Sequence, residues 1–178
     1  MNFRPAMGLF KESFRQLKIV GILGCIIYAL IGIMVPIGAN ISVRSVTNNY
    51  SVAATQAVYV FDVKYMMIVS AAIAVIIVPI MMLVAFNFLN KRNSCDFYHA
   101  IPVKRIPAFV GIIMAVVLWT IIMIFVETIT ISVMCGSLPR VKVECRSLMI
   151  TAVKTFALAF FFIGVLSAGI SLSGTLFS

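Results

Sequence analysis

Three long stretches of the chain carry no charged residue: 19–43 (25 residues), 65–90 (26 residues) and 106–126 (21 residues). A fourth apolar run opens at Ser147 and is broken only by Lys154. Each exceeds the roughly 20 residues that a helix needs to cross a hydrocarbon layer about 30 Å thick. The pattern predicts four spans, approximately 19–40, 66–89, 108–134 and 149–172. Helices are the expected form, because a lone spanning segment must satisfy its own backbone hydrogen bonds and the alternation of a membrane barrel strand is absent. The first run is too long for the roughly 7–15-residue apolar core of a cleaved signal, and Gly38 and Ala39 make a poor cleavage site.

Ahead of the first run the apolar pattern changes period. Phe3, Met7, Phe10, Phe14 and Leu17 recur at spacings of 4, 3, 4 and 3, which places them in one stripe about 80° wide on a helix. Arg4, Lys11, Arg15 and Lys18 gather on its flank. This predicts an interfacial helix whose rings dip into the bilayer while its basic side chains reach the headgroups. The expected fold class is therefore all-α: a polytopic transmembrane helix bundle with an N-terminal interfacial amphipathic helix, as a single domain over 1–178.

Composition agrees. The chain is 63% hydrophobic and 11% charged, with a mean hydropathy of +1.16, far from the roughly one-quarter charged residues of a soluble domain. The net charge of +9 is mostly a flanking pattern. It calls for no nucleic acid, and it favours anionic membrane lipids. Eight Lys and Arg residues lie before span one and between spans two and three, against five in the other two loops. That bias places the N-terminus and loop 90–107 in the cytoplasm.

Within the spans, Pro79 predicts a kink, and Gly164 with Ala168 forms a small-xxx-small pair suited to close helix approach. Glu127 and Lys154 are intramembrane charges at comparable depth near the outer side. They either pair with each other or each snorkel separately to the interface. Cys135 and Cys145 flank the outer hairpin, where a disulfide in an oxidising exterior and two free thiols are both open readings. Cys25 lies within span one and Cys95 in the cytoplasmic loop.

Sites for chemistry are sparse. The carboxylates Glu12, Asp62, Asp96, Glu127 and Glu144 are scattered over both sides of the membrane and one span, so no general acid/base pair is expected. No phosphate-loop motif and no Cys/His metal spacing occurs. The expectation is no enzyme, no metal and no cofactor in this chain. If energy is used, another protein supplies it.

One loop stands apart. Asn90–Pro107 packs Lys91, Arg92, Asp96, His99, Lys104 and Arg105 between two uncharged runs, with three adjacent rings in Phe97, Tyr98 and His99. Residues 93–100 are long enough for about two helical turns ending before Pro102, with Asp96 near the start, where the helix dipole favours an acid. Exposed rings on such a surface helix are suited to docking a soluble partner.

The string DFYHAIPVKR, Asp96 to Arg105, resembles a segment of permease subunits of bacterial ABC-2 type ABC transporters. There the Asp-aromatic-Tyr-His, small, aliphatic, Pro, aliphatic, basic-Arg pattern lies between the second and third spans. The resemblance implies a coupling helix that inserts into a groove on a separate cytoplasmic ATP-binding subunit, with Asp96, Phe97, Tyr98, His99, Pro102, Lys104 and Arg105 as the coupling residues. It also implies a second permease copy or paralogue, a bacterial cell membrane, and export of a lipid-like molecule, peptide or antibiotic. Members of that family normally carry at least six spans, so the chain is expected to be the N-terminal portion of a longer permease or the product of a truncated gene. Two other classes remain open: a non-transport membrane scaffold or sensor-associated subunit whose loop binds another cytoplasmic protein, and an ion-coupled carrier that uses Glu127 and Lys154.

Overall fold

The computed structural model describes residues 4–49, 59–60, 63–87, 105–138 and 141–172. Its elements, in order, are α1 (Arg4–Gln16), α2 (Lys18–Asn49), β1 (Tyr59–Val60), α3 (Val63–Asn87), α4 (Arg105–Ser137), β2 (Val141–Lys142) and α5 (Cys145–Leu172). The segments Lys18–Ser42, Met66–Phe86, Phe109–Ser137 and Cys145–Ser171 are long and apolar enough to cross a membrane. The chain is a multi-pass helical membrane protein. The helices run beyond the predicted spans because turns that continue past the hydrocarbon keep their intrahelical hydrogen bonds. The helix continues through Pro36 in α2 and through Pro79 in α3.

Both faces of each span can be read from the sequence once the rotation is fixed. In α2, Leu17 just ahead of the helix, then Gly21, Gly24, Tyr28, Gly32 and Pro36, form the buried face. Leu23, Ile26, Leu30, Met34 and Ile41 are exposed on the other side, at the 3- and 4-residue steps of an outward stripe. Water would not tolerate such a stripe, whereas lipid is its natural solvent. Burial of apolar area does not distinguish a neighbouring helix from lipid, so the helices are held by close packing and by polar contacts.

The most extensive helix packing joins α2 to α4 and α3 to α5. The α2–α4 pair is parallel and rests on glycine. A Cβ on Gly21 would run into the Trp119 indole, one on Gly24 into the Met123 side chain, and one on Gly32 into the Thr130 hydroxyl. The positions advance together on both helices, which fixes the direction. The expected close approach at Gly164 and Ala168 is not found: both are exposed, and a Cβ on Gly164 would meet nothing within 4 Å. Small residues permit approach, and α2 is the helix that uses them.

The N-terminal helix is present and amphipathic, but part of its apolar stripe is covered by protein rather than by lipid. Phe14 stacks on Trp119 with ring centroids 4.8 Å apart and 13° between planes. Phe10 and Phe14 are partly buried against the main core, and Leu17 is fully buried. At the break between α1 and α2, the Phe14 carbonyl accepts the Trp119 indole N–H at 3.3 Å, which satisfies an acceptor near the helix end. Lys11, Arg15 and Lys18 remain exposed, with Arg15 paired to Glu12 at 3.1 Å.

A two-residue parallel pair, Tyr59 with Val141 and Val60 with Lys142, ties the connection after α2 to the connection after α4. Most polar side chains in the spans are satisfied locally. The hydroxyls of Ser70, Thr120, Thr128, Thr130, Ser132 and Ser137 each donate to the carbonyl four residues earlier, at 2.7–3.0 Å. This is how a helix carries hydroxyls through hydrocarbon without leaving them unpaired.

Candidate functional site

The inward face of α4 is set by Ile112, Ala115, Val116, Trp119, Thr120, Met123, Ile124, Glu127 and Ile131, all buried. Glu127 is eight residues beyond Trp119, two helical turns and some 80° further round, so the helix that packs on the glycines of α2 also drives a carboxyl into the bundle. Its residue is 5% exposed.

Every span contributes to its surroundings. Tyr28 of α2 is close enough for its phenol and the Glu127 carboxyl to interact electrostatically. Ser70 of α3 lies near the carboxyl, its hydroxyl donating to the Met66 carbonyl at 2.8 Å. From α5, Leu148, Thr151 and Thr155 line a small cavity of about 10 Å³ together with Glu127, Met66 and Ile131. Tyr28 and Ser70 are also linked to each other, since the phenol donates to the Ser70 carbonyl at 3.3 Å. Thr155 is 1% exposed, and its hydroxyl has no hydrogen-bond partner among the described residues.

The structure does not pair Glu127 with Lys154. Glu127 is buried while Lys154 is exposed, and no ion pair joins them among the described residues. Rotation separates them: Thr155 takes the inward position on α5, and Lys154 lies about 100° away round the helix. Cys135 is buried beside Met66, Ile131 and Leu148, Cys145 is exposed, and both are free thiols. The bridge that their spacing left open is therefore not formed.

Of the coupling residues, Asp96, Phe97, Tyr98, His99, Pro102 and Lys104 lie outside the described residues, as does Cys95. Arg105 is the first residue of α4. The structure thus brings together a different set, Glu127 with Tyr28, Ser70 and Thr155. Three of these were not singled out by the sequence. Tyr28 carried a readable signal, because it sits at the helical step between Gly24 and Gly32. Ser70 and Thr155 carried none, since hydroxyl residues in spans are usually satisfied by their own helix.

Chemically, the cluster can bind, orient and hold hydrogen-bonded protons. Among the described residues no group of three or more His, Cys, Asp or Glu side chains is placed to hold a metal ion. No family model, no curated protein and no solved structure matches the chain.

Proposed function

We propose that this chain is a transmembrane permease component of an ATP-driven, ABC-type transporter, probed by its ATPase partner through the loop between α3 and α4. The observation that carries the reading is the decapeptide Asp96–Arg105, with its resemblance to the coupling segment of ABC-2 permeases. The fold supports it in one respect. α3 ends at Asn87 and α4 begins at Arg105, so the decapeptide falls between the second and third spans in chain order, and α4 is the helix on which α1, α2 and α5 all pack.

In this mechanism, closure of a nucleotide-bound ATPase dimer pushes on Phe97 and Tyr98, with Asp96, Lys104 and Arg105 fixing the docking register by charge complementarity. The spans then move as rigid units between two states. The N-terminus and the loop lie in the cytoplasm of a bacterial cell, and the direction is export of a lipid-like molecule, peptide or antibiotic.

The test is a double substitution, Phe97→Ala with Tyr98→Ala, in the chain reconstituted with its ATPase. Hydrolysis is expected to continue without transport while the protein stays inserted; unchanged transport overturns the docking role. Purification without any ATPase favours a scaffold instead. One observation favours an ion-coupled carrier: Glu127 is buried among polar groups from other spans. Transport driven by an ion gradient in the absence of ATP would select that reading.

A further inference from the structure

The hydroxyl protons around Glu127 are already committed. Ser70 donates to the Met66 carbonyl at 2.8 Å, Tyr28 to the Ser70 carbonyl at 3.3 Å and Thr128 to the Ile124 carbonyl at 2.7 Å. Thr130 donates to the carbonyls of Val126 and Glu127 itself, at 3.0 and 2.8 Å. A hydroxyl has one proton to give and two lone pairs with which to accept, whereas an ionised carboxylate can only accept. The protons of Ser70, Tyr28, Thr128 and Thr130 are thus spent on backbone carbonyls, and the carboxyl has to find a donor elsewhere.

The cavity lies beside Glu127. Its volume of about 10 Å³ is at the lower limit for one water molecule, which also needs two to four polar partners. Three lining residues carry side chains that can serve: Glu127, Thr151 and, one helical turn further along α5, Thr155. Thr155 is the decisive one. The residue lines the cavity, and its hydroxyl is buried and lacks a protein partner among the described residues. A buried hydroxyl left unpaired is costly, and it lies beside the carboxyl with a water-sized gap in the wall they share.

We propose that this cavity is a binding site for a single water molecule, held by the Glu127 carboxyl and the hydroxyls of Thr151 and Thr155. The carboxyl accepts from the water, whose remaining partners are on α5. A hydrogen-bonded bridge then joins α4 and α5 inside the bilayer. Tyr28 is the titratable group that faces Glu127 from α2, and among the described residues the polar side chains that α3 and α5 present there are hydroxyls; the exposed Lys154 is on another face. The site stands independently of the transporter reading, because it rests on the packing of the spans alone.

The experiment is infrared difference spectroscopy on the full chain in lipid nanodiscs. Glu127→Gln assigns the carboxyl band by its loss. In wild type, exchange into H₂¹⁸O is expected to shift a discrete water O–H stretch. Thr155→Val, which keeps the side-chain volume, should abolish that stretch and shift the carboxyl band, and Thr155→Ser should restore both. The wild-type measurement stands alone if the valine variant does not fold. No ¹⁸O-sensitive stretch in wild type overturns the proposal. So does a spectrum unchanged in Thr155→Val. A water stretch that disappears when choline is replaced by sodium also overturns it, because the occupant is then a cation.

Discussion

Gly21→Ala tests whether α2 and α4 are held together at the indole of Trp119. The added methyl would sit 2.7 Å from Trp119 Cε2 and closer still to Cδ2 and Cε3, inside van der Waals contact. The ring has little room to yield. Its face is stacked on Phe14 at 4.8 Å, and its N–H is bonded to the Phe14 carbonyl. Moving it weakens a stack worth about 0.5–1.5 kcal/mol and a hydrogen bond of similar net value, within the roughly 1–3 kcal/mol typical of an overpacked contact. Against this, replacing glycine by alanine in a helix gains about 0.5–1 kcal/mol. The expected net loss is about 1–2 kcal/mol. Two other glycines calibrate the result. At Gly24 the methyl meets the Sδ and Cε end of Met123, with Sδ at 2.8 Å; that chain is flexible, so Gly24→Ala should be near neutral. At Gly164 the space is open, so Gly164→Ala should stabilise by about 0.5–1 kcal/mol. Reversible unfolding of each variant in mixed micelles of increasing denaturing-detergent fraction measures all three. If Gly21→Ala is as stable as Gly164→Ala, the indole is not wedged against α2 and the packing described here is wrong.

Trp119→Phe keeps a ring against Phe14 but removes the indole donor, and is expected to cost about 0.5–1.5 kcal/mol in the same unfolding assay; no change would mean that the Phe14 carbonyl bond contributes nothing. Lys154→Ala should change stability by no more than about 0.5 kcal/mol, as an exposed side chain with no ion-pair partner among the described residues should. Glu127→Lys should be strongly destabilising whether or not Lys154 is replaced, because it buries a charged amine at a position 5% exposed with no counter-charge beside it among the described residues. Rescue of Glu127→Lys by Lys154→Glu would restore the paired reading. Cys145 is exposed and Cys135 is buried, so a membrane-impermeant maleimide added to folded protein should label Cys145 and spare Cys135; equal labelling would contradict the packing of α4 on α5.

The four spans were legible because charge is too costly in hydrocarbon to be scattered at random, so the gaps between charges outline the helices. What could not be read was rotation. Gly164 and Ala168 have the right spacing for close approach, as do Gly21 and Gly24 with Gly32 further along, and spacing alone does not say which face meets a neighbour. The N-terminal stripe shows the same limit from another side. Phe10 and Phe14 satisfy the pattern of a lipid-facing helix and of a protein-facing one equally well, because lipid and core are alike apolar. The indole of Trp119, a ring with a donor that must be bonded when buried, is what commits Phe14 to protein.

Glu127 illustrates why a buried site in a membrane protein is found by subtraction rather than by motif. The sequence offered Lys154 as the only nearby opposite charge, and the pairing argument was one of depth. Depth is set by counting residues, but contact also requires that both side chains face one another, and at 100° per residue adjacent side chains point in different directions. On α5 Thr155 is buried and Lys154 exposed, and the carboxyl is left near hydroxyls of Tyr28 and Ser70 that already bond backbone carbonyls. A polar group in that position has to obtain its remaining hydrogen bond from something small, and the cavity lined by Glu127 and Thr155 is a place where something small fits. α4 carries both this site and the Trp119 contact, and it begins at the loop assigned to the ATPase. On the proposed reading, a displacement of its first turn reaches Trp119 and then Glu127 along one continuous helix, so the same rigid element would move the α1 anchor and the buried acid together.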